Sequence, residues 1–318
     1  MGRLKSASLN RDDCFQEIKK PNQRWTTPDV RSACAASPKF SMNREKIRSA
    51  LRNATPPIIW GALQALKGRS RQNYFSGDYR FWADAVRESG GYSADGILAA
   101  TREAMRKIRD GEAVFERDSV LLKQAEPPFP LISGLLRTAS RRQGSLSVLD
   151  FGGALGSTYY QCRPFLDGVP KLRWSVVEQA AHVACGRAEF SSEQLRFYAT
   201  VGDCLAEEKP DVLLLSCVLQ YLPAPYEFLM EILRHKIPSV IVDRSAFLSG
   251  DCDRLTVQHV PASIYAASYP AWFFSRSKFM ACFQADYKLL QSFSGEDKVA
   301  LENGDCFFEG FIFEKSAR

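Results

Sequence analysis

The stretch "SVLDFGGALGS", residues 147–157, brings together residue types that could do chemistry: an apolar run ending in Asp150, then Gly152, Gly153 and Gly156 within five residues. Glycine adopts left-handed dihedrals without steric cost and has no Cβ, so such a loop can turn sharply and bring its N–H groups close to a ligand. Placed between a strand and a helix, it reads as a nucleotide-type cofactor loop, because the helix N-terminus adds unpaired donors. The dinucleotide fingerprint G-x-G-x-x-G, if it ended at Gly156, would begin at Phe151, and this spacing weakens a nicotinamide reading.

Further chemistry-bearing residues follow at the ends of apolar runs. In "RWSVVEQ" a second strand should finish at Glu178, whose carboxylate could accept hydrogen bonds from both hydroxyls of a ribose. "YATVGD" places Asp203 in a turn after a third strand, and "PDVLLLSCVLQYLPAP" is a buried strand leading into Gln220 and Tyr221. "VDRS" holds Asp243 and Arg244, which read either as an internal ion pair or as a clamp on an anionic group. "TVQHV" holds Gln258 and His259, and the imidazole is the natural base near neutral pH or a polar loop group that supports the fold. Tyr265, Tyr269, Trp272 and Phe273 form an aromatic run that could stack on a sugar face or fill a core.

The elements that must position these groups are legible as texture. Between 74 and 145, "YRFWADAVRES", "SADGILAATREAMRKIRDGE" and "FPLISGLLRTASRR" carry apolar residues at three- and four-residue spacing, which predicts a helical region. From 146 the pattern changes to short β-rich runs separated by helical pieces: "SVLDF", "RWSVVEQ", "LRFYA", "DVLLLSCV", "SVIVDRS", "YKLLQSF" and "FFEGFIFEK". Val-, Leu- and Ile-rich runs alternating with helices imply an α/β, doubly wound, mostly parallel sheet covered on both faces.

Charge and cysteine usage exclude other classes. The net charge is +6, but residues 1–55 hold 12 Lys and Arg against 5 Asp and Glu, so the remaining chain nets −1 and lacks the basic footprint of a nucleic-acid binder. The nine cysteines are scattered, with no CxxC pair and no His at ligand spacing, so neither a metal site nor a disulfide framework is suggested, and a reducing cytoplasm fits. No apolar run approaches the roughly 20 residues needed to span a bilayer. Residues 1–41 mix Ser, Pro, Asn and charges without periodicity and read as a disordered extension, with Met42 as an alternative start. Residues 42–67 form a basic segment interrupted by Pro56 and Pro57, open to two readings: peripheral contact with a membrane surface or partner, or an arm packed on the domain.

The pattern D-x-G-x-x-x-G formed by Asp150, Gly152 and Gly156, with Ala154 at the often-glycine middle position, resembles the first motif of class I S-adenosylmethionine (SAM) methyltransferases. The ordered set "FSGDY", "GEAVFERDSV", "VLDFGGALGSTYYQCR", "WSVVEQ", "PDVLLLSCVLQYL", "IVDRS" and "TVQHVPASIYAASYPAW" resembles a family of bacterial SAM-dependent methyltransferases associated with surface-polysaccharide biosynthesis, over roughly residues 56–315. The resemblance implies a seven-stranded Rossmann-like methyltransferase domain over 146–318, preceded by an arm and helical region over 42–145. It implies SAM as cofactor, held by Asp150, Gly152, Gly153, Gly156, Glu178, Asp203 and Gln220, with Asp203 on the adenine amine. It further implies catalytic groups among His259, Asp243, Arg244 and Tyr221, and methyl transfer to a hydroxyl of a sugar or glycan precursor. The expected location is the cytoplasm, with the inner face of the membrane as the option that the 42–67 segment leaves open. A nicotinamide-dependent sugar oxidoreductase and a non-catalytic scaffold in a glycan-synthesis complex are the alternatives.

Overall fold

The computed structural model describes residues 74–90, 94–260, 267–295, 301 and 306–316. The expected 1–41 extension, the 42–67 segment and Tyr265 lie outside these residues. The centre is a sheet whose neighbours run β6 (Leu195–Tyr198), β5 (Lys171–Val177), β4 (Ser145–Phe151), β7 (Val212–Ser216), β8 (Ser239–Leu248), β12 (Cys306–Lys315) and β11 (Tyr287–Ser294). The first five are mutually parallel, and β12 runs antiparallel to both β8 and β11. The sheet is therefore doubly wound and mostly parallel, as the strand–helix alternation predicts.

Parallel strands buried on both faces must be apolar at every position, and each face then selects every second residue. In β7, Leu213 and Leu215 enter one core with Leu149, Phe151, Val240 and Val242, under helix α7 (Pro225–Leu233). Val212 and Leu214 enter the other, with Val148, Trp174 and Val176, under helices α3 (Phe129–Arg141) and α4 (Ser157–Cys162). Helix α3 thus packs on the same sheet as the elements that follow it.

Beyond the main sheet, the last residues of β8 continue upward, and Phe247 and Leu248 pair in parallel with β10 (Ala267–Ser275). β10 pairs antiparallel with β9 (Arg254–Val260), and β9 with β1 (Phe75–Tyr79). This three-stranded extension stands at the carboxyl end of the parallel strands, the end at which open α/β sheets receive ligands.

The wholly helical reading of 74–145 needs correction. Helices α1 (Trp82–Glu88), α2 (Ala94–Arg109) and α3 match the periodic segments, but "FSGDY" is strand β1, and "FERDSVLL" is a hairpin of β2 (Phe115–Arg117) and β3 (Val120–Leu122). Strands of three residues are too short to show an alternation, and Gly77 interrupts the pattern in β1.

Candidate functional site

The loop after β4 turns as its glycines suggest: Gly152 (φ 79°), Ala154 (φ 51°) and Gly156 (φ 90°) are all left-handed. Gly153 has a different reason to be glycine, since a Cβ there would lie 2.4 Å from Asp150 Oδ2. The Asp150 side chain is folded under the loop, is buried, and accepts a hydrogen bond from the Trp174 indole at 2.9 Å. Its position makes it the anchor of the loop's shape.

Glu178 follows β5 and is 2% exposed. Its Oε2 accepts from the Ala154 N–H at 3.3 Å and its Oε1 from the Gln179 N–H at 3.0 Å. The acid of the second strand is therefore tied directly to the loop of the first. Asp203, expected in a turn, instead occupies the first turn of helix α6 (Val201–Glu207), where its N–H is capped by Thr200 Oγ1 at 2.9 Å and its side chain is exposed.

At the ends of β7 and β8 the structure gathers Gln220, Tyr221, Asp243 and Arg244. Gln220 is 1% exposed; its amide donates to the Arg244 carbonyl (3.2 Å) and to Cys217 Sγ (3.3 Å), while its Oε1 is buried with no hydrogen-bond partner. The Tyr221 hydroxyl donates to Gln258 Oε1 at 2.8 Å, and its ring meets Tyr269 edge-on at 5.3 Å. Burial pushes the Tyr221 hydroxyl well above its ordinary pKa, with Cys217, Tyr269 and Asp118 adding to the effect, so it acts as a proton-bearing donor at neutral pH. Asp243 is buried and accepts from the Ser216 hydroxyl at 2.9 Å.

Arg244 is held between two carboxylates. It lies 3.7 Å from Asp243 and makes two hydrogen bonds, at 2.9 and 3.4 Å, to Asp118 in the β2–β3 turn. Burial disfavours its charge, but Asp118, Cys217 and Asp243 outweigh that and raise its pKa. The internal ion pair with Asp243 is present, and Asp118 is the partner that adjacency in the chain could not indicate.

His259 is not brought to this group. Gln258 faces Tyr221, whereas Leu255 and Val257 face helix α1, with Ala85, Tyr79 and Trp82. His259 shares the α1 side by the period-two alternation, is exposed, and pairs its Nε2 with the Ser76 hydroxyl at 2.8 Å. The aromatic run is likewise divided. Tyr269 reaches Tyr221, Phe273 is fully buried, and Trp272 stacks on Trp82 and donates to the Leu222 carbonyl at 3.1 Å.

Two groups absent from the sequence reading come from the hairpin. Besides Asp118, Glu116 is 3% exposed: its Oε1 accepts from the Ser119 N–H at 2.5 Å, and its carbonyl accepts from Gln161 Nε2 of α4 at 2.7 Å. The only signal was the quoted "GEAVFERDSV", a motif without an assignable role. Among the described residues, seven non-glycine positions are left-handed, and five of them (Asp118, Ser119, Ala154, Cys217 and Arg244) lie in these loops and strand ends. Such strain persists where surrounding structure enforces it, and it concentrates at functional sites.

No family model matches the chain, and no curated protein matches it. Among solved structures, it is similar to the N-terminal domain of EvdMO1 in the presence of S-adenosylhomocysteine and D-fucose (11% identity, 68% of this chain and 97% of that one, TM-score 0.42). It is also similar to magnesium protoporphyrin IX methyltransferase from Synechocystis with bound SAM (11%, 88% and 100%, 0.39). A third is human N-acetylserotonin methyltransferase in complex with SAM (15%, 81% and 66%, 0.39). The fold class rests on the strand order itself.

Proposed function

We propose that the chain is a SAM-dependent methyltransferase that methylates a hydroxyl of a sugar or glycan precursor. The observation that carries this reading is the contact between Glu178 and the Ala154 N–H, which joins a buried carboxylate at the end of β5 to the left-handed loop after β4. A carboxylate has about four acceptor positions, so one anchored by backbone donors can still receive ribose hydroxyls. The strand order supports the choice of cofactor. Dinucleotide folds use the order 3-2-1-4-5-6, whereas here antiparallel β12 separates β8 from β11.

The residues present fit the group. The glycine loop and Glu178 would hold the nucleoside end, and the buried, unpartnered Gln220 Oε1 offers an acceptor beside it. When bound, SAM supplies an electrophilic methyl group, which leaves alignment, exclusion of water and proton removal to the protein. With His259 on the α1 side, Asp243 is the carboxylate placed among the strand-end groups to take a hydroxyl proton. Arg244 lies 3.7 Å from its Oδ2, and the Ser216 hydroxyl donates to that same oxygen, which leaves Oδ1 to face an acceptor. Tyr221, fixed by Gln258 and Tyr269, offers a ring edge and hydroxyl suited to a sugar.

The remaining expectations belong to the same proposal: a polysaccharide-related acceptor, action at the cytoplasmic side of a membrane, and a dispensable 1–41 extension. No described helix is long and apolar enough to cross a membrane. The test is calorimetry with SAM and with NAD, followed by a screen of glycan precursors with methyl-labelled SAM. SAM binding with label transferred to a sugar supports the reading. NAD binding without SAM binding overturns it, and SAM binding without transfer to any acceptor would leave a scaffold.

A further inference from the structure

We propose that Glu116 receives the ammonium of the cofactor's amino-acid end, an inference that rests on the SAM-dependent reading above. Glu116 is a buried carboxylate that forms no ion pair among the described residues. The nearby cation, Arg244, is already held by Asp118 and Asp243. One Glu116 oxygen accepts from Ser119 N–H, but Oε2 is buried with no hydrogen-bond partner. The Ser157 hydroxyl lies beside this carboxylate as a neutral donor shared with the Met105 sulfur at 3.4 Å, and so brings no charge to balance it. Burying a carboxylate without a cation is costly, so a fold that keeps one has a use for it.

The location selects the ligand group. Glu178 marks the β5 side of the glycine loop, through Ala154. Glu116 stands with Ser157, just past the loop, in a hairpin latched to Arg244 on β8, and β8 lies on the opposite side of β4 from β5. A nucleoside anchored at Glu178 and lying across the loop directs its amino-acid end toward the Glu116 side. That end carries an ammonium, which supplies the missing cation and donates to Oε2. The hairpin is fixed for this purpose from several directions: Gln161 holds the Glu116 carbonyl, Thr101 holds the Ser119 hydroxyl at 2.8 Å, and Arg244 holds Asp118.

The experiment compares three ligands by calorimetry on wild-type protein and Glu116→Gln: SAM; S-adenosylhomocysteine, which keeps the ammonium but lacks the sulfonium; and 5′-methylthioadenosine, which lacks both. Glu116→Gln should weaken SAM and S-adenosylhomocysteine by about 10- to 100-fold, as expected for loss of a charged hydrogen bond, and leave 5′-methylthioadenosine within about twofold. Glu116→Asp, which keeps the charge on a shorter arm, should fall between. An equal loss for all three ligands would assign Glu116 a structural role and overturn the proposal. A loss for SAM alone would place it at the sulfonium instead, and unchanged affinities in a folded variant would also reject it. Wild-type protein that binds none of the three overturns the cofactor reading itself, an outcome distinct from these.

Discussion

Arg244 and Asp118 are 126 residues apart in the chain and meet through two guanidinium–carboxylate hydrogen bonds at 2.9 and 3.4 Å. The pair joins the end of a central strand to a hairpin built from two three-residue strands. Asp118 is largely exposed, so the pair adds at most about 1 kcal/mol to global stability. Its effect is local: it holds the Glu116 segment over the strand ends. Asp118→Asn should therefore change the melting temperature by no more than about 4 °C. Hydrogen exchange over residues 115–122 should accelerate markedly, and SAM affinity should fall with it. Unchanged exchange in the hairpin would show that the ion pair is not its latch.

The glycine loop makes a steric prediction. Gly153→Ala places a Cβ 2.4 Å from Asp150 Oδ2, and the loop must shift to accept it. A cost of about 1–3 kcal/mol in stability is expected from such overpacking, together with at least a tenfold loss of SAM affinity. Gly168→Ala is the control, because nothing lies within 4 Å of its Cβ. Thermal melts and titrations of the two variants decide the matter, and equal behaviour would count against the assigned loop.

Proton removal should separate Asp243 from His259. If Asp243 takes the acceptor proton, Asp243→Asn lowers turnover by about 10²- to 10⁴-fold with little change in SAM affinity. His259→Ala should retain turnover within about twofold, because its side chain lies on the α1 side of β9. Single-turnover rates on an identified acceptor provide the measurement, and the reverse pattern would restore His259 as the base.

Burial raises the pKa of Glu116; Ser157 and the Ser119 N–H lower it, Asp118 raises it and Arg244 lowers it, with burial prevailing. A carboxyl whose pKa rises on folding contributes stability that is present below its unfolded pKa and lost as pH climbs through the folded value. Glu116→Gln removes that loss, so the variant should melt above the wild type at pH 7.5, and the difference should shrink toward pH 4. Melting curves across this range test the sign, and a variant less stable than wild type at pH 7.5 would contradict it.

Much of this arrangement was legible before folding, because it depends on neighbours in the chain. Strand–helix alternation, the turn after Asp150 and the acid at Glu178 follow from local periodicity, from the conformational freedom of glycine and from the position of an acid at a strand end. The positions of Asp150, Gly152, Gly156 and Glu178 around one loop match that reading, although Asp150 serves beneath the loop and Gly153 is glycine because of Asp150. Asp203 shows the margin of such a reading, since one added helical turn moved it from a turn to a helix start.

The rest was decided by tertiary structure. Whether Gln258 or His259 faces Tyr221 depends on the register of β9 between β1 and β10, and a shift of one residue exchanges the two faces. The sequence contains both residues side by side and has no local preference between them; the packing of Leu255 and Val257 against α1 makes the choice. Arg244 acquired Asp118, and Glu116 acquired its burial, only because a hairpin too short to show periodicity folded back over the end of a strand whose Arg244 lies 126 residues further along the chain. Local propensity acts over a few residues, whereas ion pairs, burial and the facing of a strand are set by whatever the chain brings back from a distance, and the chemistry of this site depends on both.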